Sequence, residues 1–304
     1  MAALVAGLST SSEDACIVDT VAVIDAHRRA GRDFTAAGVR SFVREEGTGE
    51  PVVCLHGVPA SSFLYRKLLP ELAARGLRGV AFDLPGLGLA DRPADFDYSW
   101  TGLGRFAMAA VDTLGLDRFH LIVHDIGGPV GFELAAAMPA RLRSLTLLNT
   151  LITVDEFRRP WVMQPFAWPI LGELWLAAIR RPLFVALMRW QGVLDRSVPA
   201  AELAAYVDLL KRIDGGRAFL RIMRRFELSP NKRQLYQSVV RDVPYPVQIL
   251  WGADDPALTL AVHGAQAARA VGTDHILTLP AKHFLPEDQA PAIAASVAAI
   301  AGRA

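Results

Sequence analysis

The sequence predicts an α/β fold, a mostly parallel central sheet flanked by helices, with an all-helical insertion. Three observations predict it. Short apolar runs alternate along the chain with segments of helical spacing, the order that βαβ units and a parallel sheet require. Several of those runs are apolar without interruption and close at a glycine, as strands buried on both faces do. The alternation breaks once, at Leu151, and resumes near residue 243.

The first thirty or so residues hold one candidate element, "VDTVAVIDAHRRAG", a short helix ending at Gly31. From Phe34, "FTAAGVRSFVREEGTGE" reads as two strands broken near Gly38, with a turn at Gly47–Gly49. "PVVCLHG" is a strand buried on both faces. "SSFLYRKLLPELAARG" has a Ser start, helical spacing and a Gly stop. There follow a strand in "LRGVAFDLPG", a helix in "SWTGLGRFAMAAVDTLGL", a strand in "FHLIVHD", a helix in "PVGFELAAAMPARL" and a strand in "SLTLLNT". Residues 151–242 offer no strand, several helical segments and the tryptophans Trp161, Trp168, Trp175 and Trp190. Strand and helix then return as "YPVQILWGADD", "PALTLAVHGAQAARAV", "HILTLP" and "PEDQAPAIAASVAAIAG".

A helical insertion at this point reads as a cap over the carboxyl edge of the sheet, where open α/β sheets place their ligands. The expected organisation is an N-terminal extension (1–32), a core (33–150 and 243–304) and a cap (151–242). No internal repeat or low-complexity linker interrupts it.

Composition narrows the function classes. The chain has 304 residues, 52% hydrophobic and 21% charged, which is globular rather than disordered. A net charge of +1 gives no reason to expect nucleic acid or an anionic membrane as partner. The basic residues are nearly all Arg and scattered; the short runs Arg180-Arg181 and Arg224-Arg225 read as solvated faces. Cys16 and Cys54 form no disulfide framework or metal cluster, and Cys54 sits inside an apolar run as a small core residue. The start lacks a basic region and meets Glu13 and Asp14 early, so it makes a poor signal peptide. No uncharged apolar run approaches the ~18 residues of a membrane span. A soluble, cytoplasmic protein is the expectation.

The chemistry gathers at "HDIGG", His124 to Gly128. An acidic residue ends an apolar strand there, although Asp is a poor strand former and an unpaired buried carboxylate is costly. The shape is that of a nucleophile elbow, in which a sharp strand-to-helix turn lifts one side chain above the sheet; Gly127 and Gly128 supply the small neighbours. At its apex stands Asp125, and no Gly-x-Ser-x-Gly occurs in the chain.

The apex identity selects the reaction. A Ser attacking an alkyl carbon would leave an ether, which water does not readily cleave; a carboxylate leaves an ester, which an activated water hydrolyses. That second step needs a general base, an acid to orient it and an oxyanion hole. His283, in "LPAKHFLPED", follows the last strand and is the base candidate. Asp254 and Asp255 follow the preceding strand; Asp255, ahead of Pro256 at a helix start, is the preferred acid. Nucleophile, acid, histidine is the chain order of this arrangement. The "HGVP" turn, His56 to Pro59, offers the Val58 N–H to pair with that of Ile126 as an oxyanion hole. "GLGLAD" (86–91) imitates a nucleotide loop but reads as a turn, since its spacing and context are wrong. Neither a metal nor an organic cofactor is implied.

These residues bring the sequence close to a known group. From about Phe34 to the C-terminus it resembles the α/β-hydrolase superfamily, in the branch of haloalkane dehalogenases and epoxide hydrolases. "HGVPASSFLYRKLLPEL", "FDLPGLGLADRP", "VHDIGG" and "KHFLPEDQAP" carry the resemblance. It implies Asp125 as nucleophile, His283 as base and Asp255 as acid. Dehalogenases typically hold the leaving halide between a Trp directly after the nucleophile and a second donor, often an Asn in the HGxP turn. Ile126 and Val58 occupy those places and have no side-chain donor.

Epoxide hydrolases generally use cap tyrosines to polarise the ring oxygen, and the cap offers Tyr206 and Tyr236. Tyr206 lies on a regular helical stripe and reads as packing; Tyr236 is the donor candidate. Trp161 and Trp175 are expected as further N–H donors or as apolar lining, with His56 and Pro59 beside the substrate. The expected function is epoxide hydrolysis through an alkyl ester on Asp125, with a small apolar electrophile as substrate. A dehalogenase with a rearranged halide site is the alternative. A non-catalytic small-ligand receptor on the same fold is the alternative from another class, and the full Asp/His/Asp set weighs against it.

Overall fold

The computed structural model describes residues 9–302, with side chains from residue 19 onward. The reading of Cys16, and residues 1–8 of the stretch read as a poor signal peptide, therefore lie outside the described residues and side chains. The helix α1 spans Ser9–Arg29 and is longer than its sequence signal. Its His27 lies against the rings of Phe42 and Phe63, at centroid distances of 5.1 and 5.3 Å. Burial holds that imidazole neutral, down to about 3, and its Nε2 meets the Ser62 hydroxyl at 3.1 Å.

The core then alternates. The strands β1 (Gly31–Ala36), β2 (Val39–Glu46) and β3 (Glu50–Leu55) lead to helix α2 (Leu68–Ala73). Strand β4 (Leu77–Phe82), helix α3 (Trp100–Thr113), strand β5 (Phe119–Asp125), helix α4 (Gly127–Ala137) and strand β6 (Leu142–Thr150) continue it. Between β6 and the next strand come five helices and no strand: α5 (Leu171–Ala178), α6 (Arg181–Leu187), α7 (Ala200–Lys211), α8 (Arg217–Arg224) and α9 (Pro230–Ser238). Strand β7 (Val247–Gly252), helix α10 (Ala265–Val271), strand β8 (Leu277–Leu279), and helices α11 (Leu285–Asp288) and α12 (Ala290–Ala301) close the chain.

The eight strands form one sheet in the order β1-β2-β4-β3-β5-β6-β7-β8. β1, β2 and β4 pair antiparallel, and every other neighbour is parallel. The core is thus a mostly parallel sheet flanked by helices. β5, buried along its length up to its last residue, lies mid-sheet, and its carboxyl end carries Asp125. Cys54 is a free, buried core thiol, pushed up by that burial. No helix among the described residues is long and apolar enough to cross a membrane.

Several elements are more broken than their patterns. "SSFLYRKLLPELAARG" is a 3-10 turn at Ser62–Tyr65 followed by α2. Pro70 has no N–H to donate to the carbonyl four residues back, so the helix restarts with Pro70 in its first turn. Pro291 splits α11 from α12 for the same reason. "PALTLAVHGAQAARAV" opens as a π-turn, Leu260–Gly264, before α10, and the strand in "HILTLP" shrinks to three residues. The arginine runs are not wholly solvated faces: Arg181 pairs with Asp208, and Arg224 with Glu173, within the helical segment.

That segment is tied to the core through Glu287, whose side chain is fully buried. Arg66 pairs with Glu287 and with Glu202 of α7, Lys67 Nζ reaches Glu287 at 3.0 Å, and the Tyr206 hydroxyl donates to Glu287. Glu287 lies four residues beyond His283. The cluster therefore fixes the loop of the histidine and the position of α7 together. Removing one partner of a buried pair strands the other charge, at a cost of about 3–5 kcal/mol. Because Lys67 and Tyr206 still meet Glu287, Arg66→Met should lose less than that full penalty, about 2–3 kcal/mol in denaturant unfolding, while Glu202→Gln, at the solvated edge, should lose less than about 1 kcal/mol. An Arg66→Met variant as stable as the parent would show that the cluster holds nothing.

Candidate active site

Asp125 ends β5 with φ +53°, a left-handed conformation that a non-glycine residue adopts only when its surroundings impose it. Those surroundings are visible. The Thr150 hydroxyl donates to the Asp125 carbonyl at 2.5 Å. A Cβ on Gly128 would stand 1.8 Å from that same hydroxyl, and one on Gly57 would stand 2.2 Å from Asp125 Oδ1. Both neighbours must be glycine for the turn to close on the carboxylate. One carboxylate oxygen accepts from the Val58 N–H at 2.8 Å, and the adjacent Ile126 backbone N–H helps to hold the negative charge.

His283 Nε2 lies 3.6 Å from Asp125 Oδ2, and its Nδ1–H donates to Asp255 Oδ2 at 2.8 Å. Asp255 is held by the Ala257 and Leu258 N–H groups at 2.7 and 3.0 Å and by the Asn149 amide at 2.5 Å. Asn149, at φ +31°, also accepts from the Gly252 N–H at 2.9 Å, which locks the end of β6 to the end of β7. Asp254 is exposed and outside this set. His124 is buried and donates from Nε2 to the His283 carbonyl at 2.8 Å; burial, then the charge of His283, lowers it to about 4 and keeps it neutral.

The charges alternate as Asp125, His283, Asp255. Burial alone would lower His283, but Asp255 and Asp125 on either side override it and push it up to about 10. Burial would raise both carboxyls; His283 and the backbone N–H groups hold them below the usual range instead. A carboxylate so held can attack an electrophilic carbon, and the imidazole can activate a water against the resulting ester.

An apolar cavity opens over Asp125 between the sheet edge and the helical segment. Val58, Pro59, Ile126 and Phe284 line it from the core, and Phe157, Trp175, Phe184, Met188, Leu210 and Phe219 from the helical side. Three of the residues expected beside the substrate stand elsewhere. Tyr236 does not border the cavity: α9 packs on α4, the ring is fully buried against Phe132 and Trp100, and its hydroxyl donates to Glu133 at 3.0 Å. Trp161 is 64% exposed and lies against Trp190 outside the cavity.

His56 lies beneath the turn, donating from Nδ1 to the Gly57 carbonyl at 2.9 Å and accepting the Leu84 N–H at 3.1 Å. It shapes the turn rather than meeting a ligand. Trp175 does line the cavity, but its indole N–H is spent on the Val162 carbonyl at 3.1 Å. The polar groups missed in the sequence are Asn149, Thr150, Arg159 and Gln191. The first two carry a signal, a polar pair ending an apolar strand; the last two carry none.

The alpha/beta hydrolase fold family matches residues 50–290. The chain belongs to that family. The hydrolase is 30% identical over 277 residues to an uncharacterized hydrolase of Saccharomyces cerevisiae, covering 86% of this chain and 92% of that one. It is 32% identical over 279 residues to haloalkane dehalogenase 2 of Mycobacterium tuberculosis, covering 88% and 93%. An epoxide hydrolase structure from Vigna radiata shares its fold with a TM-score of 0.70, at 21% identity over 90% of this chain and 98% of that one. The hydrolase thus lies in the branch of haloalkane dehalogenases and epoxide hydrolases.

The charge alternation has a measurable consequence. Asp125→Asn removes one of the two carboxylates that hold the His283 proton, so His283 should titrate about one to three pH units lower in that variant by NMR. An unchanged value would contradict the coupling. The sign for stability follows: His283 is raised from the ordinary 6.5, so its contribution is complete below about pH 6.5 and is lost as pH rises toward about 10.

Proposed function

We propose that this hydrolase opens an apolar epoxide through an alkyl ester on Asp125, which water activated by His283 then hydrolyses. One observation carries this: a carboxylate, not a hydroxyl, stands at the apex of the elbow, 3.6 Å from an imidazole backed by Asp255. In the first step an Asp125 oxygen bonds the ring carbon as the ring C–O bond breaks. Esterification removes the Asp125 charge, so His283 releases the proton it held, and the alkoxide takes it up through water. The neutral Nε2 then accepts a proton from the water that adds to the ester carbonyl. The Val58 and Ile126 N–H groups receive the oxyanion. Collapse yields the diol and restores the ionised Asp125 and protonated His283.

The leaving group favours an epoxide over a halide. Expelling halide from an unstrained carbon in an apolar cavity needs paired N–H donors, and neither Val58 nor Ile126 has a side-chain donor. A strained ring needs less help, because its oxygen stays tethered and is protonated in place. The side-chain amide of Gln191, on the helical side of the cavity, makes no hydrogen bond within the described residues and is the donor we assign to that oxygen. It takes the place that Tyr236 held in the sequence reading.

His283→Gln should trap the ester, with hydrolysis slowed about 10²–10⁴-fold. Mass spectrometry of the Asp125 peptide after incubation with matched epoxides and haloalkanes reads out the outcome. The account expects addition of the whole epoxide mass. An adduct of the alkyl group alone from the haloalkane, with none from the epoxide, would assign dehalogenase chemistry; no adduct from either in a folded variant would end the covalent reading.

A further inference from the structure

Apart from Asp125 and His283, one ionised side chain borders the cavity, Arg159, on the helical side. It is badly provided for. Its Nη2 donates to the Met223 carbonyl at 2.8 Å, and its Cζ lies 4.8 Å from the centre of the Phe226 ring. Its Nε is buried with no hydrogen-bond partner. No carboxylate among the described residues pairs with it, although Arg181 and Arg224 of the same segment each have one. A half-buried guanidinium without a counter-charge is an energetic debit that a ligand anion can cancel.

We propose that the substrate is an amphipathic anion: an apolar chain whose carboxylate pairs with Arg159 while its electrophilic carbon lies against Asp125. This rests on the reading of the cavity as the site of that ester chemistry. The guanidinium fork fits a carboxylate in two parallel hydrogen bonds, and with the other cation bordering the cavity, His283, already matched by Asp125 and Asp255, a monoanion suits Arg159 better than a phosphate dianion. The same charge would orient the chain. Asp125 repels the carboxylate end and Arg159 attracts it, so the reacting carbon is the one presented to the elbow.

Binding of octanoate and of octanamide, a neutral analogue of equal length, tests this by calorimetry without any turnover. The parent protein should bind octanoate about tenfold more tightly than octanamide, the worth of one charge-assisted contact. Arg159→Gln should erase that preference by weakening octanoate, and Arg159→Lys should keep part of it. Equal affinity for the two ligands in the parent, equal weakening of both in Arg159→Gln, or no binding of octanoate would overturn the proposal. Because no ester forms in this experiment, its failure leaves the Asp125 adduct test standing, and failure of the adduct test leaves this one readable.

Discussion

Everything at this site depends on keeping one carboxylate ionised at the mouth of an apolar cavity. Asp125 is in a left-handed turn with Gly57 and Gly128 pressed too close to accept a side chain. Two backbone N–H groups and the His283 imidazole meet its charge. The imidazole in turn needs Asp255, and Asp255 needs Asn149 and the turn beyond β7. The ends of β5, β6 and β7 are therefore locked to one another by polar contacts of functional groups. In a low-dielectric cavity each of those contacts is stronger than in water, and each unmet partner is more costly.

The helical segment contributes in two ways. It supplies most of the apolar lining, which keeps water scarce where the proposed ester would form. It is also fastened to the histidine loop through the buried Glu287 and its partners Arg66, Lys67 and Tyr206. Tyr206, read from its helical stripe as packing, is both packing and a hydrogen-bond donor. It faces the core cluster instead of the substrate, and so the two tyrosines of this segment serve stability rather than chemistry.

Much of this was legible in the sequence, for a definite reason. Buried parallel strands write themselves as unbroken apolar runs, and functional residues at their carboxyl ends interrupt those runs where they stop. Asp125, Asp255 and His283 stand out because each follows such a run, and of the adjacent pair it is Asp255, not Asp254, whose carboxylate meets His283. Asn149 ends one too but does not stand out, since an amide ending a strand does not announce a partner across the sheet.

The helical segment was far less readable. Helical spacing indicates that a face is buried but not against what, so the sequence points Tyr236 at the cavity whereas α9 turns it onto α4. Arg159 stands in an irregular stretch and Gln191 in the π-turn that continues α6, and only their three-dimensional surroundings single them out.

The central claim is that the oxygen delivered to the substrate comes first from Asp125 and only later from water. A single turnover in water enriched in the heavy oxygen isotope, with enzyme in excess over epoxide, tests it most directly. The account predicts that the first diol is unlabelled and that the label enters the peptide carrying Asp125. A labelled diol with an unlabelled Asp125 would mean that water attacks the substrate itself, and would contradict the account.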